Sequence, residues 1–143
     1  MSGNATTFAE ELGAFGVEVE SEIVAQKRDA ALEILEGVTF GNPVGQPRLW
    51  KRMAPKGYVG GYSRGQWQMT SGDPADGEVA GIRSPSQVLG DADQVDVDLE
   101  RTTWITNNAP YIGKLEYAGH STQAPDGWVR AVVERARARY GAD

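Results

Sequence analysis

The sequence contains no cysteine and only one histidine, His120. The absence of cysteine excludes disulfide bonds, zinc–thiolate sites and cysteine nucleophiles. No apolar run approaches the ~20 residues that a membrane-spanning helix needs, and residues 1–11 have neither the basic region nor the apolar core of a secretory signal. We therefore expect a soluble protein made inside the cell, with no cofactor, no metal site and no membrane partner.

Basic residues are also in the minority. The chain has 14 Lys and Arg against 20 Asp and Glu, which gives a formal net charge of −6 at pH 7. Such an acidic balance argues against general affinity for nucleic acid, which attracts basic surfaces. The length predicts a single domain over residues 1–143. A chain of this size buries about two-thirds of its unfolded surface and folds without a disulfide or metal.

Apolar residues recur at steps of three and four near the start of the chain, which predicts amphipathic helix. They are Phe8, Leu12, Phe15, Val19, Ile23, Val24, Ala31, Ile34, Leu35 and Val38. Gly13 and Gly16 each cost about 1 kcal/mol in a helix interior, so we predict a break or kink there. The expected elements are a short helix over Thr7–Leu12 and a long one over Val17–Glu36, which ends at Gly37.

Prolines and glycines interrupt residues 41–61 and predict a long irregular loop. Unlike a disordered linker, this loop carries the large side chains of Leu49, Trp50 and Tyr58. We expect the loop to pack either on the domain itself or on a neighbour. Because tryptophan is enriched at protein interfaces, we interpret these three residues as candidate contacts between subunits. The remaining tryptophans are assigned to the core: Trp67, Trp104 and Trp128.

The rest of the chain predicts strands followed by helices. Tyr62–Ser71 and Glu78–Ile82, joined by a turn, are expected to form a hairpin, and Thr102–Thr106 is expected to form another strand. Short and long helices are expected over Tyr111–Tyr117 and Ala124–Tyr140. The predicted fold class is α+β, with a small antiparallel β-sheet packed by a long N-terminal helix and a C-terminal helix.

Residues 94–100 alternate strictly between apolar and acidic side chains, which predicts a half-buried strand. Val95, Val97 and Leu99 are expected to face the core. The opposite face is acidic and is expected to face solvent. It consists of Asp96, Asp98 and Glu100.

Two groups of residues suggest a catalytic triad and a calcium-binding loop, and neither group fits the motif of that site. His120 and Ser121 lie near Asp126, but adjacent residues rarely form a catalytic triad, and the chain has no nucleophile-elbow sequence. The acidic run that begins at Asp91 lacks the sixth-position glycine and twelfth-position glutamate of a calcium-binding loop. The sequence therefore predicts neither a catalytic nor a metal site.

Several segments together resemble one protein family. They are Asn42–Val44, Ser63–Gln68, Trp104–Ile112, Leu115–Ser121 and Gln123–Val129. These segments are similar to those of the tail-completion or neck proteins of long-tailed bacteriophages, the lambdoid head–tail joining family. The Asn-Asn-Ala-Pro-Tyr run and the Glu-Tyr pair that follows it carry most of the similarity, which covers most of the chain.

The resemblance implies a structural virion protein and not an enzyme. Members of the family have an α+β fold and form a ring between the head connector and the tail tube. The implied partners are copies of the same chain, head connector or adaptor proteins, and tail terminator or tail tube proteins. DNA would pass through a central channel without specific binding, and Asp96, Asp98 and Glu100 become candidates for its wall. The implied location is the virion neck, after assembly in the host cytoplasm. Glu116, expected to face outward or toward a neighbouring subunit, becomes a further candidate subunit contact.

An alternative hypothesis is a small enzyme or a ligand-binding accessory domain that uses Glu116, His120 and Ser121. An enzyme brings several titratable groups together in one pocket, so their convergence would discriminate the two hypotheses. Asn107 and Asn108 have short polar side chains that bond to nearby backbone. We expect them to shape the turn between strand and helix and not to bind a ligand.

Overall fold

A computed structural model describes residues 2–43, 60–117 and 127–141 of the protein. Its elements in chain order are α1 (Ser2–Gly41), β1 (Trp67–Ser71), α2 (Pro85–Ala92), β2 (Thr103–Asn107), α3 (Ile112–Tyr117) and α4 (Trp128–Tyr140). The two strands form an antiparallel sheet, and α1 packs against both the sheet and α4. The expected α+β class, with a small antiparallel sheet, a long N-terminal helix and a C-terminal helix, is confirmed, and it is α1 that packs on the sheet as well as on α4.

The first helix is continuous, so the predicted break at Gly13 and Gly16 is wrong. A Cβ atom added at either glycine would meet nothing within 4 Å, which places both on open surface. Their cost is therefore limited to helix propensity, about 1 kcal/mol each. That cost is spread over a 40-residue helix and does not interrupt its hydrogen-bond ladder.

The helix also continues past Gly37, where the sequence predicted its end. A Cβ atom at Gly37 would lie 2.7 Å from Val132 Cγ1, and one at Gly41 would lie 2.7 Å from Trp128 Cδ1. Both glycines therefore allow α4 to approach the backbone of α1. At Gly37 the glycine serves helix–helix packing and not helix termination.

The sheet pairs β1 with β2, with Trp67 opposite Asn107 and Ser71 opposite Thr103. The predicted hairpin with Glu78–Ile82 is wrong, because that segment is not a strand. Its backbone is held by a side chain instead. Gln66 Nε2 donates to the Val79 carbonyl at 2.7 Å, and Val79 N donates to Gln66 Oε1 at 2.7 Å. One amide side chain thus replaces the backbone ladder of a partner strand.

The predicted strand over residues 94–100 is also wrong, since this segment is irregular. Basic side chains of α1 donate hydrogen bonds to the backbone carbonyl groups of this segment. Arg28 Nη2 donates to the Val95 carbonyl at 2.7 Å, and Lys27 Nζ donates to the Asp98 carbonyl at 2.6 Å. Val97 is buried as expected and Val95 packs against the core, but Leu99 is exposed.

The hydrophobic core lies among the second half of α1, the sheet, α2, α3 and α4. Its buried members are Ala31, Leu35, Val38, Trp67, Met69, Val88, Ala92, Val97, Tyr111, Leu115, Trp128 and Val132. Trp67 and Trp128 are core residues as predicted. Trp104 is exposed and donates from Nε1 to the Gly72 carbonyl at 2.8 Å, so its assignment to the core is wrong.

Candidate functional site

The structure places only some of the residues singled out from the sequence. Leu49, Trp50 and Tyr58, the candidate contacts of the long loop, lie outside the described residues. His120 and Ser121 of the enzyme hypothesis lie outside them as well. The acidic residues and Glu116 are described, and each has a definite environment.

Glu116 is 5% exposed and holds the beginning of α4. Its Oε1 accepts a hydrogen bond from Val129 N at 2.9 Å, and its Oε2 accepts one from Arg130 N at 3.4 Å. Arg130 Nε lies 3.7 Å from the same Oε2. The first amides of a helix have no partner within the helix, and the helix dipole favours a negative charge beside them. Glu116 therefore caps α4 from the preceding helix.

The expectation that Glu116 faces outward or toward a neighbouring subunit is therefore wrong. The physical reason is that Gly127 has a positive φ of 80° and gives α4 no side-chain cap of its own. The Glu116 carboxylate supplies that cap, and its carbonyl accepts from Gly127 N at 2.8 Å. Both carboxylate oxygens are engaged in holding the fold, which leaves Glu116 poorly placed for proton transfer to a substrate.

The acidic face predicted for residues 94–100 is divided between two roles. Asp98 Oδ1 accepts from Arg101 N at 2.8 Å, and its Oδ2 accepts from Arg101 Nε at 2.8 Å. These bonds, first those from the Arg101 backbone, lower the pKa of Asp98. Asp98 thus stabilises a local turn. Asp96 and Glu100 are exposed as expected, and their position beside a channel stays a prediction.

Three of the five segments that carry the phage resemblance contribute residues to a buried polar network. Trp67 Nε1 donates to Asn42 Oδ1 at 3.0 Å, and Asn42 Nδ2 donates to Ser63 Oγ at 2.8 Å. Asn107 Nδ2 donates to the Ser63 carbonyl at 2.8 Å. The network ties the end of α1 to both strands. It uses the polar groups of these residues inside the subunit, where they satisfy one another.

The two asparagines after β2 hold backbone segments, in agreement with a structural role. Asn107 Oδ1 accepts from Ala109 N at 3.0 Å, which shapes the turn toward α3. Asn108 Nδ2 donates to the carbonyls of Ala75 and Gly77, both at 2.9 Å. Asn107 therefore shapes the turn as expected, whereas Asn108 fixes a distant loop, a role that residue type alone did not indicate.

Arg83 is a structural residue that the sequence reasoning missed. It donates from Nε to the Gly65 carbonyl at 2.9 Å and from Nη2 to the Trp67 carbonyl at 2.7 Å. Its Nη1 lies 2.6 Å from Asp91 Oδ2. A Cβ atom at Gly65 would lie 2.7 Å from the Arg83 backbone, so the glycine permits this close contact. An arginine followed by the helix-capping Ser84 was the available signal.

The most unusual surface is the first half of α1. All the described side chains from residue 7 to residue 23 are exposed. Five of them form one apolar row, which we name the apolar stripe. Its members are Phe8, Leu12, Phe15, Val19 and Ile23. Successive helix residues are rotated by about 100°, so these five side chains lie within about a quarter of the helix circumference.

The apolar stripe ends beside a groove between α1 and α4. We name it the α1–α4 groove, and its volume is about 430 Å³. Its lining residues are Ile23, Gln26, Lys27, Ala30, Ile34, Val133, Ala136, Arg137, Tyr140 and Gly141. Apolar side chains form its floor, and Lys27 and Arg137 supply positive charge. In the parts of the chain that the structure describes, no carboxylate lines this groove.

The described residues lack the usual marks of a metal or membrane site. Across residues 2–43, 60–117 and 127–141, no three acidic, histidine or cysteine side chains converge as metal ligands. Within the same ranges, no helix combines the length and apolar character needed to cross a membrane.

Comparison of the chain with protein-family models, curated proteins and solved structures finds no match. The likeness to phage neck proteins accordingly stays a prediction carried by the segments quoted above. Any function must be argued from the geometry of this chain. The observations with the most bearing are the exposed stripe, the adjacent groove and the structural use of Glu116.

Proposed function

We propose that the protein is a structural subunit that forms a ring in the neck of a long-tailed bacteriophage and joins the head connector to the tail tube. The observation that carries this proposal is the exposed apolar stripe on the first half of α1. A monomeric protein rarely exposes a long contiguous apolar surface, and such surfaces mark sites of protein–protein contact. An assembly subunit requires a surface of this kind.

The residues that carry the phage resemblance support an architectural role. Asn42, Ser63, Trp67 and Asn107 use their polar groups on one another. Glu116 uses its carboxylate on the beginning of α4. An enzyme would direct some of these groups into a pocket that substrate can enter. Here they hold the elements of the subunit together, so the family-like segments serve the fold.

The proposed partners follow the same reasoning. Copies of this chain form the ring, and head connector or adaptor proteins and tail terminator or tube proteins lie on its two faces. The net charge of −6 suits a ring through which DNA passes, because acidic side chains repel phosphate. Leu49, Trp50 and Tyr58 stay candidate contacts between subunits, and Asp96 and Glu100 stay candidates for the channel wall.

The proposal is tested on particles produced from the genome that encodes this chain. Deletion of its coding sequence should leave filled heads and separate tails, and purified protein added to that lysate should restore joined particles. Cryo-electron microscopy of complete particles should show density for the chain at the neck. Joined, infectious particles that lack the protein would contradict the proposal.

A further inference from the structure

We infer that the apolar stripe of one copy binds in the α1–α4 groove of a second copy, so that subunits associate head to tail. The inference rests on the proposed function for its choice of a second copy as the occupant. It adds to that function the two surfaces that meet and the polarity of their contact.

The stripe continues the face of α1 on which α4 packs. By helical rotation, Phe15 and Val19 point in nearly the same direction as Ala30 and Gly37. In the second half of α1 this face is covered, since Gly37 meets Val132 of α4. The covering helix ends at Tyr140, beside Ile23. Beyond that point the same face runs on with nothing packed against it in the described structure.

The α1–α4 groove offers the kind of surface that a helix with an apolar face fits. Ala30 and Ala136 are small, and Ile34, Val133 and Tyr140 provide apolar walls. A projecting helix laid along such a groove would be bound by anchors at three- and four-residue spacing. The members of the stripe have this spacing. Each copy carries one stripe and one groove, so every copy can both insert and receive a helix.

The distribution of charge favours binding of the stripe to the groove of a second copy over binding to the stripe of a second copy. The first 26 residues contain five glutamates and no lysine or arginine. Glu11, Glu18 and Glu22 follow one edge of the stripe, as their spacing of seven and four residues requires. In contrast, the described lining of the α1–α4 groove carries Lys27 and Arg137 and no carboxylate. Stripe against stripe would bring two acidic helices together, whereas stripe against groove pairs acidic and basic surfaces.

Arg137, which lines the groove, is available for such pairing. It is paired with Glu134 at 2.6 Å, and the charged groups of both residues are largely exposed. Exposed pairs of this kind contribute little to stability, so they can exchange partners at small cost. Because the two binding surfaces differ, the contact is heterologous and can repeat into a ring.

The first experiment compares matched variants by sedimentation velocity over a range of concentrations. Phe15→Asp places a charge in the stripe, and Val17→Asp places the same charge on the opposite face, at an almost equally exposed residue (63% and 64%). Phe15→Asp should weaken self-association at least about tenfold, as loss of an aromatic anchor does at other interfaces. Val17→Asp should associate like the wild type. A wild type that stays monomeric throughout, or equal effects of the two variants, would overturn the inference.

The second experiment identifies what the stripe binds. Tyr140→Asp damages the groove near the end of α4 and leaves the stripe intact. Neither variant should self-associate when it is alone. An equimolar mixture should form a 1:1 pair, because Phe15→Asp retains an intact groove and Tyr140→Asp retains an intact stripe. Circular dichroism of each variant checks its fold. Normal association of Tyr140→Asp alone would indicate stripe-to-stripe pairing and overturn the inference.

The outcomes separate this inference from the proposed function. Head-to-tail association in solution by a protein that is absent from virions would retain the inference and reject the neck function. A protein found at the neck whose Phe15→Asp variant still assembles would retain the function and reject the inference. Higher salt should also weaken association of the wild type, because screening reduces attraction between exposed charges.

Discussion

The two halves of α1 carry the same apolar periodicity and have opposite environments. Leu35 and Val38 are fully buried against the rest of the protein, whereas Phe8 is 66% exposed and Phe15 is 63% exposed. The boundary lies near Lys27 and Arg28, whose side chains bond to carbonyls of the segment after α2. The comparison teaches that periodicity identifies an apolar face, while the length of the packed elements decides which part of that face the subunit covers.

The largest expected difference comes from the same truncation made in each half of the helix. Leu35→Ala removes a fully buried side chain and should lower the free energy of unfolding by about 2–5 kcal/mol. Leu12→Ala removes an exposed one and should change it by less than about 0.5 kcal/mol in the monomer. Urea denaturation at low protein concentration measures both. Equal losses would mean that the first half of α1 is packed within its own subunit.

The capping role of Glu116 gives the next largest effect. Glu116→Ala leaves buried amides at the beginning of α4 without their acceptor and should lower the free energy of unfolding by about 1–3 kcal/mol. Glu134→Ala, on the exposed face of α4, is the control and should change it little. Thermal denaturation followed by circular dichroism compares the two. Unchanged stability in Glu116→Ala would contradict the cap.

Glycine substitutions in the two halves of α1 should differ in sign. Gly37→Ala forces a Cβ atom against Val132 and should destabilise by about 1–3 kcal/mol. Gly13→Ala meets open space and should stabilise by about 0.5–1 kcal/mol through helix propensity. Chemical denaturation measures each change. A stabilising effect of Gly37→Ala would show that α4 does not approach α1 closely. Combined with Gly37→Ala, the substitution Val132→Ala should relieve the clash between the new Cβ atom and the valine side chain.

The smallest effect concerns pH and Asp98, outside α1. Hydrogen bonds from Arg101 lower the pKa of Asp98 below its ordinary value of 3.8. A depressed carboxyl pKa contributes stability that is fully present above the unfolded-state value and is lost as pH falls through the lower folded-state value. Asp98→Asn should fold normally and lose less stability than the wild type below about pH 4. Identical acid profiles of stability would contradict the turn contact.

The sequence predicted the elements whose formation is local. Thr102–Thr106 was expected as a strand and β2 covers Thr103–Asn107, because β-branched and aromatic residues precede Pro110 there. The short helix before residue 118 and the final helix were also expected. The fold class followed from these elements.

The errors arise where a distant side chain replaces a local pattern. Gln66 takes the place of a hairpin partner for Val79, and Lys27 and Arg28 of α1 take the place of a neighbouring strand for residues 94–100. These contacts join residues that are 13 to 71 positions apart, so no local periodicity reports them. Glu116 was misjudged for the same reason, since its role depends on where α4 begins.

The candidate site was only partly predictable. The apolar residues of the stripe stood out in the sequence, but their exposure depends on α4 ending at Tyr140 beside Ile23. The acidic residues along residues 94–100 also stood out: Asp96 and Glu100 are exposed, whereas the half-exposed Asp98 bonds to Arg101. Side-chain type therefore located the candidates, and tertiary packing decided which of them a partner can reach.

The most direct test of the account is a cross-link between copies, which the cysteine-free chain permits without background thiols. Gly16→Cys places a thiol at the edge of the apolar stripe, Val17→Cys places one on the opposite face, and Tyr140→Cys places one at the groove. Oxidation of mixed Gly16→Cys and Tyr140→Cys proteins should give a disulfide-linked heterodimer in high yield, whereas Val17→Cys with Tyr140→Cys should give little. Preferential cross-linking of Gly16→Cys to itself, or equal yields from both mixtures, would contradict head-to-tail association.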